Sequence, residues 1–441
     1  MEKVYPKILI IGQSFNKKNG GGVTISNLFK GWPKERLAVA SNDNLKKGLD
    51  DSVCEIYYQL GYKNKLHPFP LNIILPKINC GIIPIQKNIV TTAATTTQSE
   101  KLQSGHHQTI YKVLFALLHF FGLYNFFYKL KITPEFETWI NEYKPDIIYT
   151  QLASLELIRF VDALQTKTQK PVAIHIMDDW PLTINKPGIF YNYWQNVIDK
   201  EFRKLLDKST ILMSICEAMS DEYQIRYNKT FIPFHNPIDI NYWKPAEVKD
   251  YSPKDKFTIL YAGRIGSGIG TSVADIADAV NEITATNKNM IFEIQTGDTE
   301  TLNKLVKVNE NVKLMKPIEY AALPAKFAGV DLLLLPQDFD ALSIKFLMYS
   351  FPTKVSEYMI SGTPILVYGD RQTAITKYAL KDKWGYVVFE KNKTSLVNAI
   401  TDLCNNTELR KQLATTAQKI AVEKEDSIII REAFRKCFLL N

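Results

Sequence analysis

Short apolar runs alternate along this chain with longer segments whose apolar residues have helical spacing. The first run, Lys7–Gly12 (KILIIG), is typical of a parallel strand that is buried on both faces. Similar runs recur, and helical patterns follow most of them; the predicted strands include Asp146–Thr150, Val172–Met177, Ile211–Ile215, Phe257–Ala262, Ile291–Gln295, Val312–Met315, Asp331–Leu335 and Tyr386–Phe389. This alternation predicts an α/β fold with parallel sheets.

A segment with two prolines, His235–Pro245 (HNPIDINYWKP), interrupts the alternation and is typical of a linker. The chain has 441 residues, which is enough for two domains of ordinary size. We therefore predict an N-terminal domain over residues 1–240 and a C-terminal domain over residues 241–422. The remaining segment, 423–441, contains an amphipathic stretch that predicts a final helix.

The stretch Ser350–Gly369 (SFPTKVSEYMISGTPILVYG) combines a loop, a short helix and a buried strand. Ser350 suits the N-cap position, and Pro352 fits the first helical turn, where its missing N–H costs nothing. Gly362 suits the left-handed position that follows a helix. We therefore expect the helix to begin near Pro352 and to end before Gly362.

Charged residues on this predicted helix indicate a binding site. Val355 and Met359 are four positions apart and would face a core. Lys354, Glu357 and Ser361 would lie on the opposite side. The open N-terminus of a helix favours a phosphate, and Lys354 adds a cation there. Glu357 can accept hydrogen bonds from sugar hydroxyls.

Two glycine-rich segments follow predicted strands. The first, Gly20–Gly22, follows the strand at Lys7–Gly12 and precedes a helical pattern. It does not match the GxGxxG pattern of dinucleotide-binding proteins. Its glycines either let the backbone approach a phosphate or an acceptor, or form a tight turn without a ligand. The second segment, GRIGSGIG at 263–270, leads from a strand into a predicted helix and has the shape of a phosphate-binding loop.

Five segments together resemble the family-4 glycosyltransferases, which have the GT-B fold of two Rossmann-like domains facing each other across a cleft. They occur in the expected order over most of the chain; they are SICEAMSDEYQIRYN (214–228), FHNPIDI (234–240), LYAGRI (260–265), AGVDLLLLP (328–336) and PTKVSEYMISGTPILV (352–367). The resemblance implies that segment 423–441 forms a C-terminal helix that crosses back to the N-terminal domain.

The resemblance implies a donor-binding role for several residues of the C-terminal domain. Arg264 matches an arginine that contacts the donor diphosphate, and a surface ion pair is the alternative. Relatives usually carry a lysine five residues later, where this chain has Ile269, so Lys345 or Lys354 is the candidate for the missing charge. In relatives the nucleobase lies near the segment that matches Lys316–Ile318.

Many relatives also carry two glutamates eight residues apart, and this chain matches only the second of them. Glu357 is that second glutamate, which we expect to hold the donor ribose; a surface pair with Lys354 is the alternative. Tyr349 stands where the first glutamate would be, within a longer loop. Asp338 or Asp340 is the candidate replacement.

In the N-terminal domain, the resemblance indicates Asp178, which follows a predicted strand. Many relatives have a His-Asp pair there; Met177 replaces the histidine, and His175 lies two residues earlier. We expect Asp178 to contact the acceptor or the transferred sugar, and capping of the next helix is the alternative. The complete set of candidates comprises the catalytic residues Asp178, Arg264 and Lys354 and the donor-binding residues Gly21, Gly22, Gly263, Arg264, Ile318, Thr353, Lys354 and Glu357.

The resemblance implies a glycosyltransferase that moves a sugar from a nucleotide-sugar donor to a saccharide or lipid-linked acceptor. It implies retention of configuration and a role in making a surface polysaccharide such as a capsule or an O-antigen. No metal and no cofactor are expected, because fixed cations would stabilise the leaving diphosphate. Two alternatives remain open: a nucleotide-sugar epimerase or hydrolase of the same fold, and a non-catalytic partner protein that has kept the fold.

Composition limits the setting in which such a protein acts. The five cysteines form no CxxC pair, which argues against a zinc site or a disulfide framework and suits a reducing, cytoplasmic compartment. The apolar run near the N-terminus is too short for a signal peptide. A net charge of +8 fits nucleic acid, an anionic membrane surface or anionic substrates. No nucleic-acid-binding motif is present in the sequence, so the last two are favoured.

The aromatic segment Ile110–Ile132 is a candidate for peripheral contact with the inner face of a membrane. Its uncharged part, Val113–Tyr128, has 16 residues and is flanked by lysines. That length is short for a membrane span, which needs roughly 20 residues. The segment either lies in a membrane interface, or forms an internal helix, or forms two short helices that are broken at Gly122.

Overall fold

The computed structural model describes residues 3–16, 20–45, 49–66, 77–84, 105–185, 187–245, 247, 249–286 and 289–440. The chain separates into two units. The N-terminal unit comprises Met1–Ser214, Tyr223–Ile232 and Arg435–Asn441, and the C-terminal unit comprises Ile215–Glu222 and Pro233–Phe434.

The N-terminal unit is built around an eight-stranded sheet with the strand order β10-β9-β8-β7-β1-β2-β3-β5, and β4 pairs with β6 beside it. The strands are β1 (Ile8–Ile11), β2 (Leu37–Ser41), β3 (Ile56–Gln59), β4 (Lys65–Leu66), β5 (Gly81–Ile83), β6 (Lys129–Leu130), β7 (Ile147–Thr150), β8 (Val172–Ile176), β9 (Ile211–Ser214) and β10 (Ile232–Pro233). The pairs from β3 to β9 are parallel, and β5 is antiparallel to β3. The central six strands have the order of a Rossmann sheet, in which the sequence order of the parallel strands reverses between β1 and β7.

Helices cover this sheet, and their ends follow local signals. They are α1 (Gly20–Leu28), α2 (Gly105–Phe120), α3 (Tyr124–Phe127), α4 (Pro134–Tyr143), α5 (Leu155–Thr168), α6 (Trp180–Thr183), α7 (Tyr191–Lys208) and the second half of α8 (Glu217–Tyr227), whose residues up to Glu222 belong to the C-terminal unit, with a 3₁₀ turn at Lys34–Arg36. Thr133 caps α4 through the N–H of Phe136, and Ser154 caps α5 through the N–H of Leu157.

The C-terminal unit contains a six-stranded parallel sheet with the order β13-β12-β11-β14-β15-β16. The strands are β11 (Phe257–Ala262), β12 (Met290–Gln295), β13 (Val312–Met315), β14 (Leu332–Pro336), β15 (Ile365–Tyr368) and β16 (Tyr386–Val388). This is again the Rossmann order, and it reverses between β11 and β14. On β11, Ile259 and Tyr261 enter one core cluster and Leu260 enters the other, so both faces of the sheet are covered. The prediction of an α/β fold with two Rossmann-like domains is confirmed.

The helices of the C-terminal unit end in a segment that returns to the N-terminal unit. They are α9 (Ile240–Trp243), α10 (Gly270–Thr284), α11 (Thr299–Leu305), α12 (Leu323–Gly329), α13 (Ala341–Leu347), α14 (Lys354–Ile360), α15 (Ala374–Asp382), α16 (Lys393–Asn405), α17 (Thr407–Ile420) and α18 (Ser427–Cys437), with a 3₁₀ turn at Tyr320–Ala322 and a π-helical turn at Ala421–Glu425. Beyond Phe434 the chain belongs to the N-terminal unit, where Phe438 packs against Phe29 and Trp32 and Arg435 donates to the carbonyl of Val4.

The first residue of α14 differs from the prediction, whereas the conformation after its last turn agrees with it. The helix begins at Lys354, and Thr353 is its N-cap without a side-chain hydrogen bond, so the start predicted near Pro352, with Ser350 as the cap, is wrong. The longer loop expected before it contains α13. Gly362 has φ of 75°, which confirms the left-handed position after the helix.

The aromatic segment at 110–132 forms α2 and α3, separated by a turn in which Gly122 has φ of 62°. The predicted break at Gly122 is therefore confirmed. Several large apolar side chains in this segment are exposed, so it is not an internal helix. Among the residues that the structure describes, no helix combines the length and the apolar character needed to cross a bilayer.

A buried carboxylate connects the elements that hold α14 in place. Glu425, which is fully buried, accepts hydrogen bonds from Ser356 Oγ on α14 (2.8 Å) and Tyr378 OH on α15 (3.0 Å), and it pairs with His235 of the linker. Burial acts to raise the pKa of Glu425, but His235 and the hydroxyl donors outweigh burial and hold that pKa below its usual range. The backbone of Ile238 is hydrogen-bonded to both Glu425 and Ser427, so linker, helix and chain end meet at this group.

We expect Glu425→Gln to lower the free energy of unfolding by about 2–3 kcal/mol, because it removes the charge that His235 faces and turns one acceptor into a donor. The matched control is Glu423→Gln, an exposed glutamate in the same π-helical turn, which should change stability by less than about 0.5 kcal/mol. Thermal unfolding of both variants measures the difference. Equal melting temperatures for the two variants would show that the Glu425 cluster does not stabilise this unit.

Candidate active site

The C-terminal unit places a glycine and an arginine where β11 ends, next to the point at which the strand order reverses. Ligands of open α/β sheets bind beyond the carboxyl ends of the strands at such a point. Gly263 follows β11 directly, and Arg264 is exposed. Arg264 forms no ion pair with any residue that the structure describes, so the alternative role in a surface ion pair is not observed there. Its guanidinium is therefore available to an anion.

Lys354, the first residue of α14, reaches this strand end. Its Nζ donates to the carbonyl of Ala262 (3.1 Å) and lies 4.2 Å from the centre of the Tyr261 ring. A Cβ on Gly263 would lie 2.5 Å from this Nζ and 3.0 Å from the Tyr261 hydroxyl. Residue 263 also has φ of 154°, a conformation that favours glycine, so both the backbone and the neighbouring lysine amine suit a glycine at this position.

Charge at this point is held out of water. Burial lowers the pKa of Lys354; Glu357 opposes this shift, and Arg264 adds to it by repulsion between like charges. Burial raises the pKa of Glu357, and a hydrogen bond from Tyr320 and the charge of Lys354 act in the opposite direction. Glu357 is only 8% exposed and Ser361 is fully buried, so the side of the helix opposite Val355 and Met359 is buried as well. Lys354 and Glu357 form no direct salt bridge, and neither belongs to a solvent-exposed helix surface.

Tyr320 was not predicted as a site residue. Its hydroxyl donates to Glu357 Oε1 (3.4 Å), and its ring stacks on that of Tyr242 with an interplanar angle of 10°. Tyr320 is 52% exposed and lies two residues after Ile318, which is also exposed. An aromatic ring and a carboxylate therefore lie side by side near the predicted nucleobase segment. Proximity to Lys316–Ile318 was the only sequence signal for Tyr320.

The loop after β11 differs from an open phosphate loop. The N–H of Ile265 donates to Asp298 Oδ2 (2.8 Å), and the N–H of Ser272, in the first turn of α10, donates to Asp338 Oδ1 (2.8 Å). Asp340 caps α13 through the N–H of Ser343. Asp338 and Asp340 thus each accept a hydrogen bond from the first turn of a helix, and replacement of the missing glutamate by either of them stays a prediction. The backbone N–H groups of Ile265 and Ser272 already have a carboxylate partner.

In the N-terminal unit, the glycines after β1 are the first turn of α1 rather than a loop before it. A Cβ on Gly22 would overlap the side chain of Asn16, with a closest approach of 2.0 Å, so this glycine is explained by packing. A Cβ on Gly21 would lie 3.2 Å from Gln151 Oε1 and 3.6 Å from Gln13 Nε2. Gly21 therefore lies beside two amide side chains at the switch point of this sheet.

Asp178 is exposed after β8, and its neighbour Asp179 is the N-cap residue of α6, which begins at Trp180. Asp179 receives both an ion pair from Arg226 (2.8 Å) and a hydrogen bond from Tyr223 OH (2.8 Å), so it stabilises the unit. Capping of the next helix by Asp178 is not observed. His175 is fully buried with its Nδ1 2.8 Å from Tyr149 OH.

One region of the C-terminal unit contains five of the predicted site residues: Gly263, Arg264, Thr353, Lys354 and Glu357. The N-terminal unit contains Gly21, Gly22 and Asp178. No group of three or more His, Cys, Asp or Glu side chains among the described residues could hold a metal ion.

Comparison with known proteins gives a family match for part of the chain and a fold for the whole of it. Residues 246–420 match the sequence family described as Glycosyl transferases group 1. Comparison with curated protein sequences gives no match. Among solved structures, the chain is similar to sucrose-phosphate synthase from Thermosynechococcus elongatus, with 12% identity, a TM-score of 0.59 and coverage of 98% of both chains.

It is also similar to HepE from Anabaena in complex with UDP and glucose, with 14% identity, a TM-score of 0.58 and coverage of 98% of this chain and 99% of the other. A glycosyltransferase from Rickettsia africae shows 12% identity, a TM-score of 0.59 and coverage of 99% of this chain and 100% of the other. At these identities the similarity shows a shared fold, which spans both Rossmann-like units.

We expect Lys354→Met to stabilise the protein by about 1–2 kcal/mol near pH 7 and by less near pH 9.5. Folding lowers the pKa of Lys354, so burying the charged amine destabilises the folded protein. This cost is fully present below the pKa of the folded state, and it disappears as the pH rises towards the unfolded pKa of about 10.4. Melting temperatures at both pH values measure this trend.

Lys345→Met is the control, because Lys345 is an exposed lysine on α13. It should leave stability nearly unchanged at either pH. A loss of stability in Lys354→Met at both pH values, or a gain that grows with pH, would contradict the account of a buried, destabilised cation.

Proposed function

We propose that this chain, whose residues 246–420 match the sequence family described as Glycosyl transferases group 1, transfers a sugar from a nucleotide-sugar donor to a hydroxyl of a saccharide or lipid-linked acceptor. The observation that carries this proposal is the arrangement of Arg264 and Lys354 at the end of β11, with Glu357 one helical turn from Lys354. Two cations suit a diphosphate, and a carboxylate suits the hydroxyls of the adjoining ribose.

In the proposed complex, the diphosphate of the donor lies against Arg264 and Lys354. An anion there would raise the depressed pKa of Lys354 and offset its repulsion from Arg264. Glu357 accepts hydrogen bonds from the ribose, and Tyr320 orients its carboxylate. The related fold of HepE has been solved with UDP and glucose, which supports a nucleotide sugar as the donor class.

We propose that transfer proceeds with retention, without a covalent enzyme intermediate. The bond from the anomeric carbon to the phosphate oxygen breaks, and the acceptor oxygen attacks the same face of the sugar. The acceptor proton passes to the leaving phosphate, whose charge the two cations stabilise. Because fixed cations supply this stabilisation, no metal ion is required. Asp178 is the proposed contact for the acceptor or the transferred sugar.

The proposed acceptor is a lipid-linked or polysaccharide intermediate at the cytoplasmic face of a membrane, in a pathway that makes a capsule or an O-antigen. Resemblance to the family and the net charge of +8 support an anionic or membrane-bound partner. Nucleic acid is not proposed as a partner.

Incubation with a panel of nucleotide sugars, with excess EDTA, tests the reaction class. We expect slow release of nucleoside diphosphate without an acceptor, and faster release when an acceptor mixture of membrane-extracted glycolipids is added. A new nucleotide sugar would indicate an epimerase, release that no acceptor accelerates would indicate a hydrolase, and no turnover would indicate a non-catalytic partner. Activity that EDTA abolishes and manganese restores would contradict the metal-independent mechanism.

A further inference from the structure

Large apolar side chains are exposed together in two segments of the N-terminal unit. Their exposed fractions run from 39% at Leu123 to 60% at Ile189; the residues are Val113, Leu117, Phe120, Phe121, Leu123, Phe126, Ile189, Phe190 and Tyr193. We call this set the aromatic patch. Single exposed apolar residues are ordinary on protein surfaces, but a contiguous group usually marks an interaction site.

Contacts between the two segments show that the aromatic patch is one surface. The N–H of Ile189 donates to the carbonyl of Phe120 (2.9 Å), and the ring of Phe126 lies 4.9 Å from that of Trp194. The close approach depends on two glycines. A Cβ on Gly122 would lie 2.6 Å from Trp194 Nε1, and one on Gly188 would lie 2.6 Å from the Phe120 carbonyl oxygen. The turn after α2 and the segment before α7 are therefore packed against each other.

The helix that contributes to the patch is buried on one side only. Val113, Leu117 and Phe120 have the spacing of one helical face and are all exposed. Leu118 is buried, and Phe115 contacts the ring of Tyr128. The exposed side of α2 is thus not needed to hold the helix on the unit.

The charge around the patch indicates what covers it. No aspartate or glutamate occurs in the sequence from 105 to 132 or from 180 to 193. Lys129 and Lys131 are exposed at the end of the first segment. The two segments of the patch therefore contribute cations and no carboxylate. An apolar aromatic surface with cations close by in the sequence is complementary to acidic lipid headgroups above an acyl region.

We infer that the aromatic patch docks this protein on the surface of an anionic bilayer, with its rings at the headgroup level and Lys129 and Lys131 against acidic headgroups. This is peripheral binding, in keeping with the 16-residue length of α2. The inference concerns the surface of the N-terminal unit and does not depend on the transfer reaction.

Flotation of the full chain with vesicles tests this inference. Vesicles of phosphatidylcholine with about 30% phosphatidylglycerol should carry the protein upward at low salt, and pure phosphatidylcholine should carry much less. Leu117→Ser combined with Phe120→Ser should reduce binding at least about tenfold, since each buried apolar side chain contributes strongly to insertion. Ile225→Ser is the matched control, because Ile225 is 82% exposed on α8, outside the patch.

A second pair of variants separates charge from apolar contact. Lys129→Glu with Lys131→Glu should weaken binding to anionic vesicles and remove its salt dependence, whereas Lys30→Glu with Lys144→Glu, two exposed lysines elsewhere in this unit, should have a smaller effect. Unchanged melting temperatures show that the variants are folded. Absence of flotation, flotation of the patch variants equal to wild type, or a dimer that the patch variants dissociate would each overturn the inference.

Discussion

A lysine amine held against the end of a parallel strand sets most of the constraints at the candidate site. Nζ of Lys354 lies between the carbonyl of Ala262 and the ring of Tyr261, where water solvates it poorly. A side chain at 263 would crowd this amine, and Lys354 is the first residue of α14. The position of the amine requires that α14 be anchored elsewhere, which Glu425 does through Ser356. A site of this kind sacrifices stability in the absence of a ligand for affinity in its presence.

The groups of the C-terminal unit that can bind an anion lie at the same strand end as Lys354. Carboxylates of Asp298 and Asp338 accept from the N–H groups of Ile265 in the loop and of Ser272 in the first turn of α10, so these two donors already have a protein partner. Positive side chains can meet a diphosphate at the strand end, and a guanidinium and an amine differ in this role. Arg264 is permanently charged and exposed, whereas the charge of Lys354 responds to what lies beside it. The proposed donor would therefore complete an electrostatic arrangement that the unit cannot complete alone.

Features that depend on local sequence were predictable, and those that depend on distant contacts were not. Apolar runs marked the strands, and Gly362 marked the end of α14, because strand burial and left-handed glycine are local requirements. The burial of Glu357, by contrast, depends on residues far away in the sequence, such as Tyr320. The capping role of Asp338 likewise depends on a helix 66 residues away. Family resemblance indicated candidate residues for the site, but it could not indicate which hydrogen-bond partner each polar group has in this chain.

The most direct test of the account is calorimetric titration of the diphosphate site. UDP, GDP and ADP would be titrated into wild type, Arg264→Ala and Arg36→Ala, the last being an exposed arginine in the N-terminal unit. The account predicts that at least one nucleotide binds wild type and the Arg36 variant equally. It predicts that Arg264→Ala weakens this nucleotide at least about tenfold, since a charged hydrogen bond contributes about 1.5–3 kcal/mol. Equal affinity in all three proteins would contradict the assignment of the strand end at Arg264 to the donor diphosphate, and so would the absence of nucleotide binding to wild type.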